Sequence, residues 1–255
     1  MSSAPQNADP NELSVPLFGV LRVIGLFIYK NPHHFNTGTL FWSLARLFGC
    51  YERIMEALSL PFGERHFLED DIENFIIRFR IVLNDIAYVV WQIMPPHVRG
   101  LSGPSGGTHP NNREVSIFTL TKFFDKNKTD YPEIATTFAQ ARQWMDRLRN
   151  DRDNVIHYKS KVLAIDSDPP SFALISAAGT ERSVCTPNGE FRIVTEDIAD
   201  FVNGQLLSLH NFMHYELARV LCVYVSTVES EPIPFGWSER MSCIGTRRFK
   251  ELNGI

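Results

Sequence analysis

The run Arg152-Asp153-Asn154-Val155-Ile156-His157 joins two side chains well suited to handling a phosphodiester. A guanidinium is a planar, permanently charged fork that matches phosphate oxygens, and histidine is the side chain that titrates nearest neutral pH. One to hold the phosphate and one to move a proton would suffice to cleave the diester without a metal ion. The bare spacing is common in a chain with 8 histidines and 25 lysines and arginines. What sets this copy apart is its place at the end of a strong helical segment set between other long helices. On one continuous helix, residues five apart are separated by about 140° around the axis, whereas an i,i+4 ion pair shares a face. Arg152 and His157 can therefore act together only through a helix break or with a second copy of the motif from a partner subunit. The competing reading is structural, an exposed arginine beside a histidine that closes a helix C-terminus.

The elements that must position this motif are legible as apolar periodicities. Asn36-Thr37 opens a predicted helix to about Leu60, with Leu40, Phe41, Leu44, Leu47, Phe48, Tyr51, Ile54 and Leu58 on one face, ended by Pro61-Phe62-Gly63. A second predicted helix runs from about Glu69 to Met94, stopped by Pro95-Pro96, with a stripe from Ile72 to Ile93 at the helical period. Ser116 to Phe124 reads as a short helix. Asp130 with Glu133 has the spacing of a capping box and opens a helix that buries Ile134, Phe138, Ala141, Met145 and Leu148 before reaching Arg152. Alternating runs at Lys161–Asp166 and Ser171–Ala178, with a third piece near Arg182–Cys185, predict a small antiparallel hairpin or meander. Thr195 then caps a predicted helix to about Thr227, some 50 Å long, whose stripe from Ile198 to Tyr224 calls for several partners or another subunit.

The expected fold class is therefore mainly α, an antiparallel helical bundle with a small inserted β-hairpin or meander. The expected organisation is a disordered N-terminus over 1–14, a single helical domain over 15–228 with its β insertion at about 161–185, and an irregular C-terminal tail over 229–255. Residues 15–29 read equally as a strand and turn or as a short helix.

A net charge of −4 argues against coating nucleic acid by bulk electrostatics. Locally the balance reverses: Arg142, Arg147, Arg149, Arg152, Lys159 and Lys161 face Asp146, Asp151 and Asp153, six positive against three negative, or +3. Such a zone suits phosphate, although each residue alone fits a solvated helix face equally well. The glycine-rich stretch Ser102 to Gly107 lacks the lysine and spacing of a phosphate-binding P-loop and reads as a connector. His97, His109 and the pair His33-His34 lack ligand-spaced partners, and no metal or cofactor is expected. Cys50, Cys185, Cys222 and Cys243 are scattered and read as buried free thiols. Met1 to Glu12 lacks the order of a signal peptide and Leu17 to Tyr29 is too short to span a bilayer, so a cytoplasmic protein with no membrane partner is expected.

The motif resembles the R-x4-6-H signature of the HEPN superfamily, which allows Asp, Asn or His straight after the arginine. HEPN domains are antiparallel helical bundles, and the layout resembles theirs over residues 36–227, with the stretch from Lys161 to Cys185 as an insertion. The resemblance implies a metal-independent endoribonuclease, of toxin–antitoxin or phage-defence type, that leaves a 2′,3′-cyclic phosphate. It implies Arg152 as phosphate ligand and transition-state stabiliser, His157 as general base or acid, and Asp153 as the residue that orients either. Asn154 and Tyr158 would contact the substrate, and Arg149, Arg142 and Lys159 would attract the RNA backbone. It further implies a homodimer with both motifs on one groove, and an antitoxin-like protein partner. Two alternatives are a non-catalytic RNA-, nucleotide- or partner-binding HEPN module and a helical interaction protein in which the motif is accidental.

Overall fold

The computed structural model describes residues 38–94, 115–157, 161–175, 183–185, 191–193, 195–225 and 246–254. Among them the chain is mainly helical, with a small three-stranded antiparallel sheet and a separate strand pair. The expected disordered start, the undecided segment over 15–29, the glycine-rich loop and its flanking histidines lie outside the described residues.

Helix α1 (Gly38–Leu58) and helix α2 (Leu68–Ile93) pack extensively on one another, joined through a single 3-10 turn at Phe62–Glu64. The expected faces are the buried ones: Leu40, Leu44, Leu47, Phe48, Tyr51 and Ile54 on α1, and the whole stripe from Ile72 to Ile93 on α2. Ala87, Val89 and Trp91 of α2 are buried as well, which widens its apolar surface beyond one stripe. That width suits a central helix, and α2 packs on α1 and on further helices as well as on the edge strand of the sheet described below.

Helix α3 (Ile117–Lys126) opens on a reciprocal capping box. The Ser116 hydroxyl accepts from the Thr119 N–H at 3.2 Å, and the Thr119 hydroxyl accepts from the Ser116 N–H at 2.9 Å. Helix α4 (Pro132–His157) carries the motif and begins with proline, whose missing N–H is no loss at a first helical position. The start at Pro132 leaves the cap position to Tyr131 rather than Asp130.

Strands β1 (Lys161–Ile165) and β2 (Ser171–Ile175) form the expected antiparallel hairpin, with Leu163 opposite Ala173. β structure extends past Cys185, however. Strand β3 (Ser183–Cys185) pairs with β4 (Phe191–Ile193), and β5 (Glu196–Asp197) adds to the far edge of β2. These pieces are two or three residues long, too short for an alternation to register in the sequence. The exposed edge of β1 is closed by α2: Glu73 accepts from the Val162 N–H at 3.1 Å and Glu69 from the Ala164 N–H at 2.9 Å. Two glutamates four apart on a helix thus meet alternate outward N–H groups of a strand and leave that edge less open to another chain.

Asp197, not Thr195, caps the last long helix, accepting from the Asp200 N–H. This helix, α5, runs as Ile198–Asn211, a π-helical segment Phe212–Leu217, and Ala218–Val225. Its stripe from Ile198 to Leu221 is buried within this one chain, by α1, α2, α4 and the elements around them, so it offers no large apolar face to a second subunit. Aromatic edges tie the core together, from Phe75 through Phe79, Trp144 and Phe212 to Phe138 and Phe124.

Within the tail expected to be irregular over 229–255, Thr246–Asn253 form helix α6, and the residues before it lie outside the described ones. Phe249 is fully buried, with ring contacts to Phe48, Tyr51 and His210, and the amides of Asn253 and Asn203 bond each other at 2.9 and 3.3 Å. Phe249 and Leu252 are the only large apolar residues of this octapeptide, too few to show a helical stripe, yet Phe249 supplies a full core side chain. The core accordingly includes Phe249, beyond the expected domain end at 228.

Candidate phosphate-binding site

Helix α4 runs unbroken through the motif to His157. Positions 152 and 157 therefore stand about 140° apart around one axis, and the helix break that would bring them together on a single chain is absent. The buried line Ile134, Phe138, Ala141, Met145, Leu148 continues into Asp151, which is 3% exposed. Arg152 follows beside it with a side chain 29% exposed, so it is held against the bundle and is not the freely solvated arginine of the structural reading.

Asp153 is the organiser. Its carboxylate accepts from Arg152 Nη1 at 2.7 Å and pairs with Arg149 Nε at 3.5 Å one turn earlier. Asp153 is thus bonded to both Arg152 and Arg149. The other cations of the zone are mostly engaged elsewhere. Arg142 pairs with Asp146 on the solvent side, Arg147 pins α4 to Glu196 of β5, and Lys161 reaches Glu73 at 3.5 Å. The +3 surplus is therefore not spread along the helix. Tyr158 and Lys159, and the side chains of Asn154 and His157, lie outside the described part of the site.

Two residues that the motif does not reveal complete the cluster. Arg80 of α2 sets its guanidinium carbon 4.3 Å from the ring centre of Phe118 on α3, and Arg149 sets its own 4.7 Å from the same ring. Each contact is a cation on an aromatic face, worth about 0.5–1 kcal/mol when exposed and more when desolvated. Among the described residues no acceptor bonds Arg80, and its Nη1 is buried. Burial pushes the Arg80 guanidinium down to about 10, helped by repulsion from Arg152 and, less, from Arg149, with Asp153 acting the other way. A signal for Arg80 did exist in the sequence. In Phe75-Ile76-Ile77-Arg78-Phe79-Arg80-Ile81-Val82-Leu83 the apolar residues nearly encircle the helix, so an arginine there has to be partly buried. Phe118 carried no such signal, because only the tertiary fold brings α3 between the two arginines.

The arrangement can bind an oxyanion: Arg80 and Arg149 meet at the Phe118 ring, and Arg149 and Arg152 share the Asp153 carboxylate. The cysteines lie outside this cluster. Cys50 is buried with its thiol pushed up by that burial, while Cys222 is exposed, contrary to the expectation of a buried thiol. Among the described residues no three of His, Cys, Asp and Glu gather to hold a metal ion, and no helix is long and apolar enough to cross a membrane. Compared with known proteins, the chain matches no family model, no curated sequence and no solved structure.

Proposed function

We propose that this protein is a metal-independent endoribonuclease of the HEPN type, acting in the cytoplasm through Arg152 and His157. The observation that carries the reading is the placement of Arg152: half-buried, oriented by Asp153, and part of a three-arginine cluster at the end of an unbroken helix. In this reading Arg152 holds the scissile phosphate and stabilises the charge that develops on it. The ribose 2′-oxygen attacks phosphorus, the bond to the 5′-oxygen breaks, and the products are a 2′,3′-cyclic phosphate and a 5′-hydroxyl. His157 accepts the 2′-proton or donates one to the departing 5′-oxygen. A guanidinium tightening on the transition state supplies several kcal/mol, and a positioned histidine about 10²–10⁴ in rate.

Because α4 is continuous, the reading requires a homodimer in which the arginine of one chain and the histidine of the other line a shared groove. Support comes from helix continuity alone, since the stripe of α5 is already covered. An antitoxin-like protein that covers the groove fits a toxin or defence role. The test is cleavage of RNA by the purified protein with and without EDTA. The expected outcome is cleavage in EDTA that ends in cyclic phosphate and disappears in Arg152→Ala and in His157→Ala with unchanged helical content. Cleavage that persists in the double variant, or that depends on added magnesium, overturns the mechanism, and a monomer by light scattering at micromolar concentration overturns the shared groove. A second reading, an RNA- or nucleotide-binding module without cleavage, is favoured by the same arginine cluster, which needs no histidine to bind phosphate.

A further inference from the structure

The geometry points to a phosphate seat at the junction of α2, α3 and α4, formed by Arg80 and Arg149 against the ring of Phe118 and by Arg152, which shares Asp153 with Arg149. It rests on the reading of Arg152 as a phosphate ligand, but it requires no cleavage.

Arg80 is the reason to look here. A buried cationic N–H without an acceptor is unfavourable, because the water it gave up is not replaced. Ordinary folds avoid this by bringing a carboxylate to the arginine, as Asp71 comes to Arg53 at 2.7 Å on the same helix pair. At Arg80 the fold brings Arg152 and Arg149 instead, with only Asp153 to offset them among the charges that act on it. The ring of Phe118 lies against two of the three forks, and a ring offers them no acceptor oxygen. Asp153 is shared between Arg149 and Arg152. A tetrahedral oxyanion supplies what is lacking, several acceptor oxygens and a negative charge, and guanidinium forks are the donors that match it. The chemistry is shared by an RNA backbone phosphate and the terminal phosphate of a free nucleotide, and in an RNA strand the seat would hold a phosphate beside the one that reacts.

The rival role for Arg80 is a strut that props Phe118 and binds nothing. Arg80→Met separates the two, because methionine keeps much of the side-chain volume and removes the unmatched charge. Binding is read by fluorescence anisotropy with a labelled all-2′-deoxy oligonucleotide over a range of salt, and in a second arm with labelled ADP. The expected result is oligonucleotide binding at least about tenfold weaker in Arg80→Met, with a logarithmic salt slope smaller by about one. Arg149→Gln, on the exposed side of the ring, should weaken binding in the same direction and guards against a folding defect in the first variant. Loss confined to the ADP arm supports the seat with a free nucleotide as occupant. Unchanged binding in both arms and both variants overturns the seat and leaves Arg80 as a strut. The probe has no 2′-hydroxyl, so the result is independent of cleavage: lost binding in a protein that cuts no RNA keeps the seat and removes the ribonuclease.

Discussion

Arg53 and Arg80 sit on the same pair of packed helices and illustrate opposite solutions to one problem. Arg53 of α1 directs Nε and Nη2 onto a single oxygen of Asp71 at 2.8 and 2.7 Å, and the bond holds its guanidinium above the usual arginine range. Arg80 of α2 has an aromatic ring beneath it, two further arginines nearby, and a guanidinium pushed below that range. The first arrangement is complete in the chain itself: opposite charges, hydrogen-bonded, joining α1 to α2. The second is incomplete without something negative. Like charges gathered in this way are the imbalance that the proposed phosphate seat would answer.

The sharpest way to break the comparison is at its functional end. Arg152→Ala, measured by RNA cleavage, should lower the rate by about 10²–10⁴ or more, the range expected for loss of a transition-state contact. A loss under about threefold would place Arg152 with the structural arginines. At the paired end, Asp71→Ala strands Arg53 and should destabilise the fold by about 1–3 kcal/mol, read from the urea midpoint. Because Arg53 is half exposed and can turn to water, the lower part of that range is expected.

Arg80→Met should move stability in the opposite direction from Asp71→Ala, raising the melting temperature by a few degrees through a gain of about 1 kcal/mol. A fall of similar size would mean that the cation–ring contacts outweigh the cost of burial. Arg142→Ala, which removes an exposed i,i+4 pair with Asp146, should change stability by less than about 0.5 kcal/mol. The smallest effect concerns pH. Asp85 accepts from the Ser43 hydroxyl at 2.6 Å, yet burial dominates and raises its carboxyl. A carboxyl raised by folding adds stability below its unfolded pKa and loses it as pH rises through the folded value. Asp85→Asn should therefore be slightly more stable than the parent at pH 7, with the gap closing as the pH falls toward 4. A gap that widens on acidification would show that the Ser43 bond governs this site.

Much of the fold follows from local pattern. The stripes of α1, α2 and α4, the stop at Pro61 and the alternation of β1 and β2 each need only neighbours in the sequence, because amphipathic period and turn chemistry act over a few residues. The motif and the sign of its surroundings were legible on the same terms, down to the adjacency of Arg152 and Asp153. Other features depended on residues far apart in the chain. Phe249 is one aromatic in a polar stretch until Phe48, Tyr51 and His210 surround it, and Glu69 and Glu73 read as solvent-facing until strand β1 arrives about ninety residues later. The three-arginine cluster is of this second kind. Sequence alone determined that Arg149, Arg152 and Asp153 share one helix surface, since the backbone period sets that. Only the packing of α2 and α3 against α4 decided that Arg80 and Phe118 would join them, because burial and charge proximity are properties of the assembled core.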